Sequence, residues 1–269
     1  MTTDEVIRRD VLEKCRAMDI PLCGIADVDR WKTPLFTPWI PEEFHPASIL
    51  PEARSVIVIG LPVTLPVLET SPSIWYHELY NTLNRLLDQY AYLLSEFLCE
   101  KGYSSVFIPR DGYGSIRVLL KNPVAFFSHR HAAFLAGLGT FGVNNMLLTP
   151  GYGPRVRFTS VFTSASLPAD PVMEEQLCIR CMKCSDLCPA QALGTDDYPL
   201  ALTGKSACAR YSATLCERHI SPCGICIKVC PVGNDRTLFS RQDTTIYDPP
   251  VHKTALQRSW DHVRTYGGL

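Results

Sequence analysis

Seven cysteines in two short runs carry the most chemistry in this sequence. The first run is Cys178-x2-Cys181-x2-Cys184-x3-Cys188-Pro189, and the second is Cys223-x2-Cys226-x3-Cys230-Pro231. Three thiolates spaced by two residues let a tight turn wrap three corners of one [4Fe–4S] cube, and the fourth, after three more residues, points toward a second cube. Each proline suits the first position of a helix, where an N–H donor has no partner to lose. Two cubes need eight thiolates, so one more is required. Cys208 and Cys216 are the candidates, with Cys208 preferred. Crossed ligation then joins Cys178, Cys181, Cys184 and Cys230 on one cube. Cys188, Cys223, Cys226 and one of the candidate pair hold the other. Zinc is the competing reading, but four-cysteine zinc sites use separated CxxC pairs, not four cysteines within eleven residues before a proline. Cys15, Cys23 and Cys99 are expected to be small buried hydrophobes.

A second concentration of polar residues lies upstream, between Ser128 and Arg157. It holds His129, Arg130, His131, Asn144, Asn145, Arg155 and Arg157 among many glycines. Small residues let a flat ligand approach the backbone. Gly137, Gly139 and Gly142 match G-x-G-x-x-G, but a helical pattern precedes them and a strand pattern follows. That order is the reverse of a dinucleotide fingerprint, so a helix end near Gly137 or Gly139 is expected. Asp111, in Arg110-Asp111-Gly112-Tyr113-Gly114, follows a strand pattern, a place where ligand sites tend to lie. Asp111, His129, His131 and Tyr113 are the candidate proton donors, histidine being best matched to neutral pH. Arg110, Arg130, Arg155 and Arg157 are suited to phosphate or carboxylate groups. Gly139, Asn144 and Asn145 complete the expected cofactor-binding set.

The elements that position these groups are legible in outline. The chain has 269 residues, 46% of them hydrophobic, with 26 Lys+Arg against 27 Asp+Glu. That composition excludes a disordered chain and gives no global pull toward nucleic acid or an anionic membrane. No apolar run is long enough to span a bilayer and no secretory signal is visible; a reducing, anaerobic cytoplasm is expected because exposed clusters of low potential suffer in oxygen. Periodicity predicts helices over 4–18, 74–100, 123–136 and 254–264, and strands over 22–26, 55–61 and 105–109. A hairpin is expected from 145–149 and 155–163 around the turn at 150–154. The fold class is α+β: a cofactor- and substrate-binding domain over 1–168, a ferredoxin-like domain with two clusters over 169–235, and a tail over 236–269 with one helix.

The stretches HRHAAFLAGLGTFGVNNMLLTPGYGPRVRFTSVFTS, CIRCMKCSDLCPAQAL and CGICIKVCPVGND together resemble the epoxyqueuosine reductases and their relatives, the reductive dehalogenases. CGIA at 23–26, SVIVIGLP at 55–62 and Trp75-Tyr76-His77 fit the same pattern, so the resemblance covers about residues 15–235. It implies a nitroreductase-like domain that binds cobalamin, with flavin the alternative, fused to a module of two [4Fe–4S] clusters. It implies that electrons arrive from a donor such as ferredoxin or flavodoxin and pass to a small-molecule substrate. It also implies that the eighth thiolate is Cys208, in Ser206-Ala207-Cys208-Ala209-Arg210-Tyr211. Two departures stand out. The proton-donating aspartate of epoxyqueuosine reductases is replaced by Pro123, with no carboxylate over 122–130. The helical repeats that bind tRNA are not present before the chain stops at 269. A different substrate is therefore expected, the alternative being an electron-transfer protein with a docking domain and no chemistry of its own.

Overall fold

The computed structural model describes residues 2–32, 41–111, 115–122 and 124–266. Tyr113 and Pro123 lie outside the described residues. Helix α1 (Thr3–Ala17) opens on a capping box between Thr2 and Glu5 and turns Ile7, Val11 and Cys15 inward. Strands β1 (Leu22–Asp27) and β2 (Ser55–Pro62) flank the short helix α2 (Pro46–Ile49), and α3 (Leu65–Glu69) follows β2. Helix α4 (Ile74–Glu100) is capped by Ser73, whose hydroxyl accepts from the Tyr76 amide. Then come β3 (Ser105–Ile108), α5 (Ile116–Lys121), α6 (His129–Leu135), β4 (Thr140–Phe141), β5 (Leu147–Leu148) and β6 (Val156–Thr163). The cysteine-rich segment carries only short helices around the longer α8: α7 (Lys183–Asp186), α8 (Lys205–Cys216), α9 (Ile225–Lys228) and α10 (Asp235–Leu238). The chain closes on α11 (Ala255–Tyr266).

The main sheet runs in the order β1-β2-β6-β3, antiparallel throughout, with Ile57 opposite Val161 and Val58 opposite Ser160. Side chains alternate across a strand, so β2 feeds two cores. Ile57 and Ile59 join Val11, Leu87, Leu94 and Val161 on the side covered by α1 and α4. Val56 and Val58 join Phe158, Phe162 and Ala132 on the side covered by α6. A sheet buried on both faces explains why β2 is one continuous apolar run.

Two expectations are corrected. The hairpin from 145–149 and 155–163 does not form: β5 pairs with β4, whereas β6 crosses into the main sheet between β2 and β3. Thr149 and Gly153 alone make a bridge across the intervening turn. The helix expected over 123–136 is shorter, beginning at His129, and a separate helix at α5 precedes it.

The cysteine-rich segment shares the core of the sheet. Ile227 packs into the α1–α4 core, Lys228 Nζ donates to the Ser71 carbonyl (2.7 Å), and Asn145 accepts from the Thr203 amide (2.6 Å). The tail is tied on as well, Arg264 donating to the carbonyls of Thr70 (3.0 Å) and Glu69 (3.1 Å). Among the described residues no helix is long and apolar enough to cross a membrane.

Candidate functional site

The structure gathers the cysteines into two groups that each mix both runs. Cys178, Cys181, Cys184 and Cys230 line one pocket, together with Asn144, Met182 and Val232. Burial pushes the Cys184 thiol up to about 12, and Cys230, Cys181 and Cys178 add to it. The loop closes around this pocket through two left-handed residues, Arg180 (φ 53°) and Met182 (φ 59°), on either side of Cys181. Non-glycine residues adopt that conformation at a cost of about 1–2 kcal/mol each.

In the second group, burial pushes the Cys223 thiol up to about 11, with Cys208 and Cys188 contributing. Cys226 is raised by burial, then by Cys223, Cys208, Cys184 and Cys188. Cys216 stands further along the helix that carries Cys208. It lies eight residues beyond Cys208 on α8, about 12 Å along the helix axis at 1.5 Å per residue.

Backbone amides reach several of the sulfurs. The Ala192 N–H donates to Cys188 Sγ (3.3 Å), and those of Ser185, Ile225 and Val232 serve Cys184, Cys223 and Cys230. Thiols in such a setting fit an iron–sulfur cluster, whose sulfurs accept backbone hydrogen bonds.

The second group adjoins a polar cluster on α4 and β6. Gly224, within the second cysteine run, has φ 72°, and a Cβ there would meet the Tyr76 ring at 2.6 Å. Tyr76 is buried, and one turn further along α4 stands Tyr80. The Arg157 guanidinium lies 4.2 Å from the Tyr80 ring centroid, donates from Nε to Asn84 Oδ1 (3.1 Å), and pairs through Nη2 with Asp111 Oδ1 (3.1 Å). The Tyr80 hydroxyl donates to Asp111 at 3.4 Å. Arg110 is turned toward Asp88, with its Nε 3.7 Å from Asp111. Tyr76, Tyr80 and Asn84 fall at i, i+4 and i+8, one stripe of α4, and sequence reasoning missed Tyr80 and Asn84 as a functional face. The signal in the sequence was Asn84 set between Leu83 and Leu87 on the apolar stripe of the helix.

Several residues expected to bind a ligand are occupied by the scaffold instead. Arg155 is fully buried. Its Nε and Nη2 grip Asp235 (2.7 and 2.6 Å), Nη1 donates to the carbonyls of Cys230 (3.0 Å) and Ile227 (3.4 Å), and Nη2 also serves Val232 (2.7 Å). No donor remains for a phosphate or carboxylate, so Arg155 clamps the second cysteine run to β6. A Cβ on Gly139 would collide with the Leu148 carbonyl, so the close approach there is made by β5 and not by a ligand. Asn145, with φ 56°, spends its side chain on Val143, Ala201 and Thr203. Asn144 lies between the two cysteine groups: it lines the first pocket, and its Nδ2 donates to the Cys226 carbonyl (3.3 Å).

The two histidines are each held by hydrogen bonds on both ring nitrogens. His129 Nε2 donates to the Pro109 carbonyl (3.0 Å) and its Nδ1 meets Ser160 Oγ (2.9 Å). His131 is held between the hydroxyls of Ser128 and Tyr198. Burial pushes His129 down to about 4 and His131 down to about 3. Both rings are therefore neutral at pH 7. The unfolded chain protonates these rings below pH about 6.5, whereas the folded chain does not until far lower, so stability falls as pH drops below 6.5. Each ring contributes about 1.4 kcal/mol of loss per pH unit between 6.5 and its folded value. His131→Gln should therefore flatten the decline in melting temperature from pH 7 to 5 relative to the parent chain. An unchanged slope would contradict the buried neutral ring.

No family model matches the chain. A tetrachloroethene reductive dehalogenase of Desulfitobacterium hafniense is 28% identical over 193 residues, which cover 66% of this chain and 32% of that protein. The epoxyqueuosine reductase of Bacillus subtilis strain 168 is 26% identical over 242 residues, covering 82% of this chain and 58% of the enzyme. The chain is a homologue of the reductive dehalogenases and epoxyqueuosine reductases. Both groups of relatives are reductases, and the chain spans about a third to somewhat over half of their length. Solved structures agree on the fold. A reductive dehalogenase whose structure suggests a mechanism for B12-dependent dehalogenation superposes with a TM-score of 0.65 at 17% identity, over 97% of this chain and 37% of its own. The Bacillus subtilis epoxyqueuosine reductase does so with a TM-score of 0.56 at 20% identity, over 97% and 76%.

Proposed function

We propose that this homologue is an iron–sulfur reductase. Cys178, Cys181, Cys184 and Cys230 would hold one [4Fe–4S] cluster, and Cys188, Cys208, Cys223 and Cys226 the other. The observation that carries the reading is the interleaving of the cysteines: Cys230 of the second run joins three from the first, and Cys188 of the first stands with Cys223 and Cys226 of the second. Two independent binding loops would not need that exchange, whereas a pair of adjacent cubes built from such runs does.

When bound, the clusters supply one-electron transfer and a corrinoid supplies a reducible cobalt centre. The residues of this chain then have separable tasks. Asn144 spans the backbone between the two cysteine groups. Tyr76 seals the second group against α4. Tyr80, Arg157 and Asp111 present the polar face where a corrinoid or the substrate itself would rest. The Arg157–Asp111 pair orients the Tyr80 hydroxyl, an O–H that can move a proton to a bound acceptor. The electron donor is a small protein such as ferredoxin or flavodoxin, and the substrate a small molecule.

The test is equilibrium binding of cobalamin to protein purified without oxygen. Retention of cobalamin by the parent chain, weakened at least tenfold in Arg157→Gln, is expected. A chain that carries both clusters and binds no cobalamin would instead be an electron-transfer protein with a docking domain.

A further inference from the structure

The cations withdrawn from solvent in this fold differ in what faces them: buried Lys228 donates to the Ser71 carbonyl, and two arginines meet carboxylates. Arg155 pairs with Asp235, and Arg241 with Glu69. Two arginines beside the cysteine groups do not. Arg236 is almost completely buried. Its Nε donates to the Cys230 carbonyl (2.8 Å), its Nη1 to the Arg241 carbonyl and the Tyr247 hydroxyl (3.1 Å each), and its Nη2 to the Lys228 carbonyl. Arg130, in the first turn of α6, donates from Nη1 to the Asn145 carbonyl and lies 3.6 Å from the Met146 sulfur. The neighbouring Asn144 is bonded to the Cys226 carbonyl. Among the described residues neither guanidinium forms an ion pair. The charged and titratable groups that act on Arg130 include Tyr198, Cys226, Arg157 and Cys208, and Arg130 acts in turn on Lys205 and His131. Those that act on Arg236 are Arg155, Tyr247 and Cys230. Arg236 is buried and Arg130 half-buried, and taking a guanidinium out of water is costly unless an anion faces it.

We propose that the missing anion is the cluster in each case: Arg236 is the counter-ion of the Cys178–Cys181–Cys184–Cys230 site and Arg130 that of the Cys188–Cys208–Cys223–Cys226 site, each raising the potential of its own cluster. This rests on the ligation proposed above. The sign follows from Coulomb's law. Reduction adds one negative charge to a cluster, so a fixed cation nearby stabilises the reduced form more than the oxidised one. Each arginine acts mainly on the nearer site, because Arg236 binds the backbone of Cys230, and Arg130 reaches the loop that binds the backbone of Cys226.

The experiment is a redox titration of the protein carrying its clusters, followed by electron paramagnetic resonance, with iron counted first. Arg130→Gln should move the midpoint of one cluster to more negative potential and leave the other in place. Arg130→Lys, which keeps the charge, should restore most of the shift. Arg236→Gln should move the other cluster; because that side chain also ties three backbone carbonyls, Arg236→Lys is titrated beside it. Intact clusters with both midpoints unmoved in Arg130→Gln, or moved equally, would overturn the inference alone. A parent chain without iron would overturn the ligation and this inference together.

Discussion

Serine in place of Cys208 removes one of the two clusters, and serine in place of Cys216 removes neither. The parent chain is expected to hold about eight irons, Cys208→Ser about four, and Cys216→Ser about eight. Both cysteines lie on α8, but Cys208 is in its first turn and acts on the Cys188 side of the second group, whereas Cys216 is its last residue. About 12 Å of helix separates them, so both cannot reach one cube. Iron and sulfide analysis on protein purified without oxygen checks this. Equal loss in the two variants, or loss only in Cys216→Ser, would reassign the eighth ligand.

Breaking the Arg155–Asp235 clamp should cost about 3–5 kcal/mol, the usual penalty for stranding one partner of a buried ion pair. For a chain of this size that lowers the melting temperature by about 10 °C. Arg155→Met and Asp235→Asn should each approach that loss, and the double variant should lose much less than their sum, because both remove one interaction. The second cysteine run hangs on this clamp through the carbonyls of Ile227, Cys230 and Val232, so cluster occupancy should fall with stability. Thermal unfolding of the four proteins reads the cycle. A loss below about 1 kcal/mol would mean that the run is held in place by other contacts.

Legibility of the fold followed the range of the interactions involved. Helix α4 was visible end to end because 27 residues of regular spacing and a Ser73 cap are local signals. Strand β2 was visible because burial on both faces leaves an unbroken apolar run. The 145–163 region was misread because adjacency around a proline–glycine turn suggested a hairpin, whereas β6 is drawn into the main sheet by Val156, Phe158 and Phe162, which fill the second core. Local sequence does not record that competition. The cysteine runs announced their chemistry through spacing alone, yet the choice between Cys208 and Cys216 needed the resemblance to the family and is sharpened by the course of α8. Arg155 looked like a ligand-binding arginine because its partner, Asp235, is 80 residues away. The Tyr80–Arg157–Asp111 face likewise joins α4, β6 and the segment after β3, which only tertiary packing brings together.

The interleaved cysteines are expected to hold two [4Fe–4S] clusters. Iron and acid-labile sulfide content, measured with the resonance spectrum of the reduced protein purified without oxygen, tests it most directly. About eight irons and eight sulfides per chain, with a spectrum of two interacting centres, is the predicted result. Zinc in place of iron, or a single cluster in a chain with all eight cysteines intact, would contradict it.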